Sequence, residues 1–322
     1  MILYKLTIGY ILDLLFGDPV WLYHPVRVIG KMIRIGERCL RKIFPKTSGD
    51  QLAAGTVLAV SVPLFSFLIA RGILFGLGQI HPALAFIVET FWCYQILAGK
   101  CLKTEAMKVA AALNKHNLPL ARKRISWLVG RDTRRLSPRD IIRAAVETVA
   151  ENTTDGVIAP MIFMAIGGAP LGFAYKAVNT LDSMVGYRNE KYILFGRASA
   201  KLDDLWNFIP ARISGILMIV SAFLCGYDGK GAARVFHLDR NKHLSPNSAQ
   251  TESVCAGALG ICLGGTHQYF GKPVVKPTIG EPIKAPVFGH IQDACILMSM
   301  TGILAMFMIN GSVFFAWLIS LI

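Results

Sequence analysis

Three acidic side chains recur at four-residue steps in the stretch Glu147-Thr-Val-Ala-Glu151-Asn-Thr-Thr-Asp155, just before an apolar run from Val157 to Tyr175. On a helix this spacing stacks carboxylates along one face, with Asn152 beside them. Such a set suits a hard divalent cation, Mg2+, that accompanies a phosphorylated substrate. A solvated helix face shows the same spacing, with Arg143 and Glu147 as a weak surface ion pair. Here, however, the face runs into membrane-grade sequence, where ionisable groups pair, bind ions or serve chemistry. Ser137-Pro138-Arg139-Asp140 supplies the helix start: Ser as N-cap, Pro at the first helical position, Asp in the first turn. That helix aligns Asp140, Arg143 or Ala144, Glu147 and Glu151, with Asp155 a turn later if it persists.

A second polar set lies beyond the apolar run, in Lys176-Ala-Val-Asn179-Thr-Leu-Asp182-Ser183 and on to Arg188. Asn179 and Asp182 share a helical face, and Lys176 precedes them by a turn. Carboxylate plus amide suits a metal or a nucleotide hydroxyl, and lysine suits a phosphate as a compact charge. Arg197, Lys201 and Asp203 or Asp204 repeat the pattern further on. Near the start, Asp18-Pro19 and His24-Pro25 fix local geometry and hold Asp18, His24 and Arg27 as a polar cluster. His243-Leu-Ser-Pro-Asn247-Ser-Ala-Gln250-Thr-Glu252 is dense in hydrogen-bonding side chains, fit to orient amides of a polar ligand or to satisfy its own turns.

The elements that must position these residues are membrane helices. Of 322 residues 53% are apolar and 17% charged, and mean hydropathy is +0.48. The apolar residues bunch into long runs. The predicted fold is an all-α, polytopic integral membrane protein with cytoplasmic loops, organised as one membrane domain over 1–322 with no detachable module. Membrane segments are predicted near 52–75, 80–98, 157–175, 209–226 and 295–322. The first two form a hairpin linked through Gly76-Leu-Gly-Gln79. Gly167-Gly168-Ala169-Pro170, at the centre of 157–175, predicts a re-entrant or broken helix, tolerated at depth only where protein shields it. Val254 to Gly265 is short and Gly-rich and predicts a re-entrant or packed half-helix. Met1 to Phe16 reads as a retained first helix or half-helix.

Net charge is +14, yet no nucleic-acid motif with interleaved aromatics is present, and nucleic acid is not an expected partner. Loops 17–50 and 100–155 hold 7 and 12 of the 34 Lys and Arg residues. The positive-inside rule places both in the cytoplasm, which predicts a multi-pass protein of the cell (inner) membrane with its site facing the cell interior. The seven cysteines are scattered without a C-x-x-C pair, which argues against zinc. No G-x-x-x-x-G-K-[ST] loop, strand-linked G-x-G-x-x-G, G-x-S-x-G or H-E-x-x-H occurs.

Taken in order, GDP-x-W-x-x-HPVR-x-IG at 17–30, VGRDT at 129–133, ETVAENTTDGVIAP at 147–160, KAVNTLDSMVGY at 176–187, ASAKLDDLWNFIPARI at 198–213 and SPNSAQTES at 245–253 form a specific series. It resembles the adenosylcobinamide-phosphate synthase family of cobalamin biosynthesis (the CobD/CbiB family) across about residues 10–293. The resemblance implies an ATP-dependent amide ligase. Adenosylcobyric acid would give a propionate carboxylate, aminopropanol or its O-phosphate the amine, and Mg2+ would accompany ATP. The individual assignments come from the residues themselves. Glu147, Glu151, Asp155 and Asp182 are the metal candidates, with Glu147 and Glu151 also counted as catalytic. Arg131, Lys176, Arg188 and Arg197 are candidates for ATP or aminopropanol phosphate. Asp18 or His24 would take a proton from the attacking ammonium. Asn179, Asn247 and Gln250 are candidates for the corrinoid's amide rim. Two other readings remain open on the residues alone. A Mg-dependent, membrane-embedded transferase acting on a lipid diphosphate would use Glu151-Asn-x-x-Asp155 and Asn179-x-x-Asp182 similarly. A transporter with broken helices would place its site at the midplane.

Overall fold

Helix ends in this chain coincide with side chains that replace missing backbone partners. Thr47 caps one start by accepting from the Asp50 N–H, and Asn117 caps another by accepting from Leu120 N–H. Ser137 and Asp140 form a reciprocal capping box with Pro138 at the first helical position, as its sequence predicts. The computed structural model describes residues 1–19, 21–45, 47–187, 189–269 and 272–319. In chain order the helices are α1 (Ile2–Phe16), α2 (Val26–Ile43), α3 (Ser48–Ile80), α4 (Pro82–Ile96), α5 (Gly99–Asn114), α6 (Leu118–Ile125) and α7 (Pro138–Asn152). A π-helical turn, Thr153–Ile158, follows, then α8 (Ala159–Val185), α9 (Arg197–Leu224), α10 (Gly229–Asp239) and α11 (Ser248–Leu259). An antiparallel hairpin of β1 (Leu263–Tyr269) and β2 (Lys272–Ile279) precedes α12 (Gly289–Ile319).

Among the described residues, five helical stretches are long and apolar enough to cross a membrane: Ser48–Ile80, Pro82–Asn114, Pro138–Val185, Arg197–Leu224 and Gly289–Gly311. Each contains or overlaps one of the five predicted segments, and the protein is an all-α polytopic membrane protein. Large apolar side chains such as Val60, Phe65, Leu68 and Ile69 of α3 lie on the outside, as a lipid-facing helix requires. The link between the first two segments differs from the sequence reading. Gly76–Gln79 is helical, and the chain turns at His81, whose Nδ1 accepts from Ala83 N–H while Pro82 opens α4. The glycines cost helix stability without ending the helix; the proline, lacking an N–H, sets the boundary. Of Val254–Gly265, residues 254–259 lie in a packed, fully buried helix, as one of the two expectations has it; the rest differs, because Gly260 ends the helix in left-handed geometry and a strand begins at Leu263.

The chain packs into two compact units, one of residues 1–98 and 159–207, the other of 99–158 and 208–322. Each is assembled from separated stretches of sequence. In the first, α3 packs on α2, α4 and α8, and α1 packs on α4 and α8. Here α8 is broken, as the Gly-Gly-Ala-Pro signal predicts: Gly167 and Gly168 leave helical geometry. Gly168 has φ +67, and a Cβ there would overlap Glu89 Oε1. That oxygen accepts from Ala169 N–H at 3.3 Å, and the other carboxylate oxygen pairs with Lys5 of α1. A carboxylate thus caps the positive start of the second half-helix, which stabilises the break. Phe163 stacks between Tyr175 and Trp206 at 5.0 and 4.8 Å, tying the two halves together.

In the second unit α7 is the hub, packed against α5, α6, α11, α12 and β1. Ala144, Ala145 and Ala150 are fully or almost fully buried, and such small residues let neighbouring helices approach. Every residue of α11 is buried, including Gln250, Thr251, Glu252 and Ser253. Polar side chains at such depth require specific partners.

Candidate functional site

The acidic face predicted on α7 forms, and its partners come from α11 and the β-hairpin. Arg131, in the α6–α7 loop, places Nη2 at 2.6 Å from Glu147 Oε2, with both side chains under a tenth exposed. Glu147 Oε1 accepts the Gly264 N–H at 2.8 Å. Gly264 sits at an irregularity of β1 with φ +78, where a Cβ would overlap the Pro277 carbonyl, so the close approach needs glycine. The Glu147 carboxylate therefore fixes Arg131 and the hairpin. Arg143 pairs with Asp140 at 3.7 Å, not with Glu147. Glu151, one turn on, accepts from Ser248 Oγ at 2.8 Å.

Glu252 follows Ser248 by one turn of α11 and is 4% exposed. Burial first, then the charges of Glu151 and Glu147, push its carboxyl well above the usual range; Lys276 and Arg131 oppose this. A carboxylic acid so held is a hydrogen-bond donor, where a carboxylate only accepts. His243 is pushed below the usual imidazole range by burial and by Lys276, against the pull of Glu151 and Glu147. Its Nδ1 accepts the Ser245 N–H at 3.1 Å, so in the neutral ring the proton sits on Nε2. Among the described residues that Nε2 is buried without a partner, as are Arg131 Nη1, Thr154 Oγ1, Gln250 Oε1 and Thr251 Oγ1. Buried polar atoms are nearly always satisfied, so this concentration marks a place a polar ligand would complete.

Asp155 lies on the π-helical turn, half-buried. A π turn advances each residue less than an α turn, so Asp155 does not continue the Glu147–Glu151 row in phase. Asn247 Oδ1 stands 3.5 Å from Arg212 Nη1. Gln250 donates Nε2 to the Arg240 and Pro246 carbonyls, both at 3.2 Å. Among the described residues, no three His, Cys, Asp or Glu side chains are grouped as a ready-made metal cage.

The other unit gathers a second set. The Asp18–His24 loop is held from α4, where Tyr94 donates to the Gly17 carbonyl and Gln95 Nε2 donates to the Tyr23 carbonyl at 3.2 Å. His24 Nε2 lies 3.7 Å from Asp18 Oδ1. Its Nδ1 accepts from Val26 N–H at 3.2 Å. Burial lowers the imidazole's affinity for a proton; Asp18 opposes this, while Lys176 and Arg27 add to it. The ring's Nδ1 lone pair is engaged by Val26 N–H and the ring also hydrogen-bonds the Gln95 backbone, which leaves Asp18 the better proton acceptor of the two. Lys176 is buried on α8. Asn179, one turn on, directs Nδ2 toward Asp203 Oδ1 at 3.4 Å. Asn207 donates to Asp203 Oδ2 at 3.1 Å and accepts from Tyr175 at 2.8 Å. Asp182 and Asp204 are the other carboxylates within electrostatic reach of Asp203. Arg197 is exposed at the start of α9, and Arg188 lies outside the described residues.

Spacing alone pairs Glu147 with Glu151 and leaves Arg131 a basic residue without its partner. The roles of His243, Glu252, Lys276, Tyr175 and Asn207 emerge only from the fold. Tyr175 stands inside an apolar run, where a phenol looks like core. Lys276 lies in a strand that no periodicity announces.

A family model described as CobD/Cbib protein matches residues 6–298. The chain is 51% identical over 274 residues to cobalamin biosynthesis protein CobD of Geobacter metallireducens, covering 85% of each chain. It is 45% identical over 311 residues to cobalamin biosynthesis protein CobD of Klebsiella pneumoniae, covering 97% of each. Cobalamin biosynthesis protein CbiB of Salmonella typhi is 44% identical over 299 residues, 93% of each. No solved structure matches the chain.

Proposed function

Because this chain belongs to the CobD/CbiB family and takes part in cobalamin biosynthesis, we propose that it is an ATP-dependent amide ligase. It joins a propionate carboxylate of adenosylcobyric acid to aminopropanol or its O-phosphate. A carboxylate is a poor acyl donor at neutral pH. Transfer of the terminal phosphoryl group of ATP to a propionate oxygen makes an acyl phosphate and releases ADP. The amine nitrogen then bonds to the carbonyl carbon, and phosphate departs with the electrons of the C–O bond. The ammonium proton passes to a base.

The observation that carries this reading is the group of Arg131, Glu147, Glu151, His243, Glu252 and Lys276, buried or half-buried, in which Arg131 Nη1 and His243 Nε2 have no hydrogen-bond partner among the described residues. Arg131 and Lys276 bring positive charge to phosphoryl oxygens, and a protonated Glu252 with the His243 Nε2–H can donate to them. Mg2+ that travels with a nucleotide keeps waters and phosphate oxygens and needs only one or two protein carboxylates. Glu151 suits that task with Asp155 next along the chain, while both oxygens of Glu147 already accept protein donors. The residues therefore fit a cation delivered with the nucleotide. When bound, Mg2+ would neutralise charge on the phosphoryl oxygens.

The test is to incubate purified protein with adenosylcobyric acid, Mg-ATP and each amine, then weigh the product and measure ADP. ADP formation that needs both corrinoid and amine supports the ligase. A corrinoid amide formed without ATP consumption, or none formed under any of these conditions, overturns it. For orientation, we propose that the basic α6–α7 loop faces the cytoplasm of a cell membrane. A reporter inserted after His116 should read cytoplasmic, and a periplasmic signal reverses the assignment.

A further inference from the structure

Arg131 has a second neighbourhood. The segment from α6 to the start of α7 lines an open cleft of about 630 Å³ whose walls include Arg122, Lys123, Ser126, Arg131, Asp132 and Arg134. That volume falls in the range of small-molecule sites. Four cations, Arg122, Lys123, Arg131 and Arg134, face one carboxylate, Asp132, and Arg131 is also paired with Glu147. Asp132 Oδ1 accepts from Arg134 N–H at 3.1 Å, which fixes this turn. Arg122 gives Nε to the Leu136 carbonyl at 3.0 Å, which stiffens the wall. Lys123 and Arg134 are exposed and lack an ion-pair partner among the described residues. Arg131 is the decisive group. Its side chain is only 4% exposed, Nη2 is committed to Glu147, and Nη1 is buried without a partner.

A buried guanidinium with an idle N–H, on the wall of a cavity with three further cations and a serine hydroxyl, describes a receptor for a multiply charged oxyanion. Carboxylates carry one charge each; phosphate monoesters and anhydrides carry about two or more, on oxygens set tetrahedrally about phosphorus, matching several forks at once. We infer that this cavity binds the phosphoryl group of a phosphorylated ligand, with Arg131 as the wall it shares with the Glu147–Glu151–Glu252 cluster. Binding itself does not need the ligase reading. Only the identity of the ligand rests on it, as ATP or aminopropanol O-phosphate. An anionic phospholipid headgroup offers the same chemistry from another source.

The probe is inorganic tripolyphosphate, titrated calorimetrically into the full-length protein in neutral detergent without corrinoid. Saturable binding that weakens as salt rises is expected. The double variant Lys123→Gln with Arg134→Gln, both exposed positions, should weaken it about tenfold or more. Arg131→Lys keeps the charge but loses the fork and should weaken it too, with the melting temperature recorded to separate loss of fold. Undiminished affinity in the double variant, or no saturable binding by the parent protein, overturns the inference. Competition assigns the source. Displacement by ATP, by aminopropanol O-phosphate or by phosphatidic acid nanodiscs each supports the phosphoryl site and names its occupant. Turnover is read separately. Intact tripolyphosphate binding without amide formation sinks the ligase and leaves the cavity standing. Loss of binding in the double variant with full amide formation shows that the cavity serves another ligand.

Discussion

The two polar clusters differ in how completely they answer their own hydrogen bonds. In the unit of residues 1–98 and 159–207, Tyr175, Asn207, Asp203 and Asn179 form a chain in which each named donor finds an acceptor. In the other unit, Arg131, Thr154, His243, Gln250 and Thr251 each keep a buried polar atom without one. A closed network rigidifies its helices and gains nothing further from a ligand. An incomplete one, surrounded by carboxylates and cations, gains the bonds a substrate supplies. The first cluster is thus read chiefly as scaffold around the Asp18–His24 loop, and the second as the place where phosphorylated ligands act.

The largest effect should come from Glu151. Glu151→Gln keeps an acceptor for Ser248 but removes the charge, and turnover should fall at least a hundredfold while membrane insertion and melting temperature hold. Wild-type product formation by this variant would remove Glu151 from the metal set and blunt the contrast between the clusters. Next is Glu147→Ala. It leaves the Arg131 guanidinium buried and unpaired and frees Gly264 N–H, so stability should drop by about 3–5 kcal/mol. Denaturation in mild detergent measures it. A stable but inactive Glu147→Ala protein would move Glu147 from positioning into the chemistry.

Much of this was legible because short-range rules governed it. The Ser137–Asp140 capping box, the Gly167–Gly168 break and the rows Glu147–Glu151 and Asn179–Asp182 follow from spacing alone. The partners that give these rows meaning come from far along the chain. Ser248 reaches Glu151 across 97 residues, and Gly264 reaches Glu147 across 117. Nothing local announces such pairings. The β-hairpin was hidden because Leu263–Tyr269 has three glycine or threonine residues in its first half and no alternating apolar face. Glu89 and Lys5 were each visible as lone charges in apolar sequence, yet only the fold shows that together they cap the broken helix.

Tyr175→Phe tests the scaffold side. It removes one donor from Asn207 and leaves an amide oxygen buried, so stability should fall by about 1–3 kcal/mol. Turnover per folded molecule should stay within about twofold, because no ligand bond depends on that phenol. A large loss of turnover at unchanged stability would promote the closed network to a ligand site and remove the distinction drawn between the two units.

The smallest effect is a pH dependence at His24. Burial holds its folded-state imidazole below the usual range, so between the folded value and the unfolded value near 6.5 the unfolded chain binds more protons. Stability therefore rises with pH through that window and is lost as pH falls from about 6.5 toward the folded value. Asp18 attracts the proton, and Lys176 and Arg27 repel it, so the net direction depends on burial outweighing the carboxylate. His24→Asn retains an acceptor for Val26 N–H through an Asx turn and removes the titrating group. Its melting temperature should vary less than that of the parent between pH 7.5 and about 5. His243 titrates in both proteins, so its contribution cancels in the difference. Equal slopes would mean that Asp18 compensates for burial fully, and the His24 ring would then be a protonated partner of Asp18 instead of its neutral neighbour.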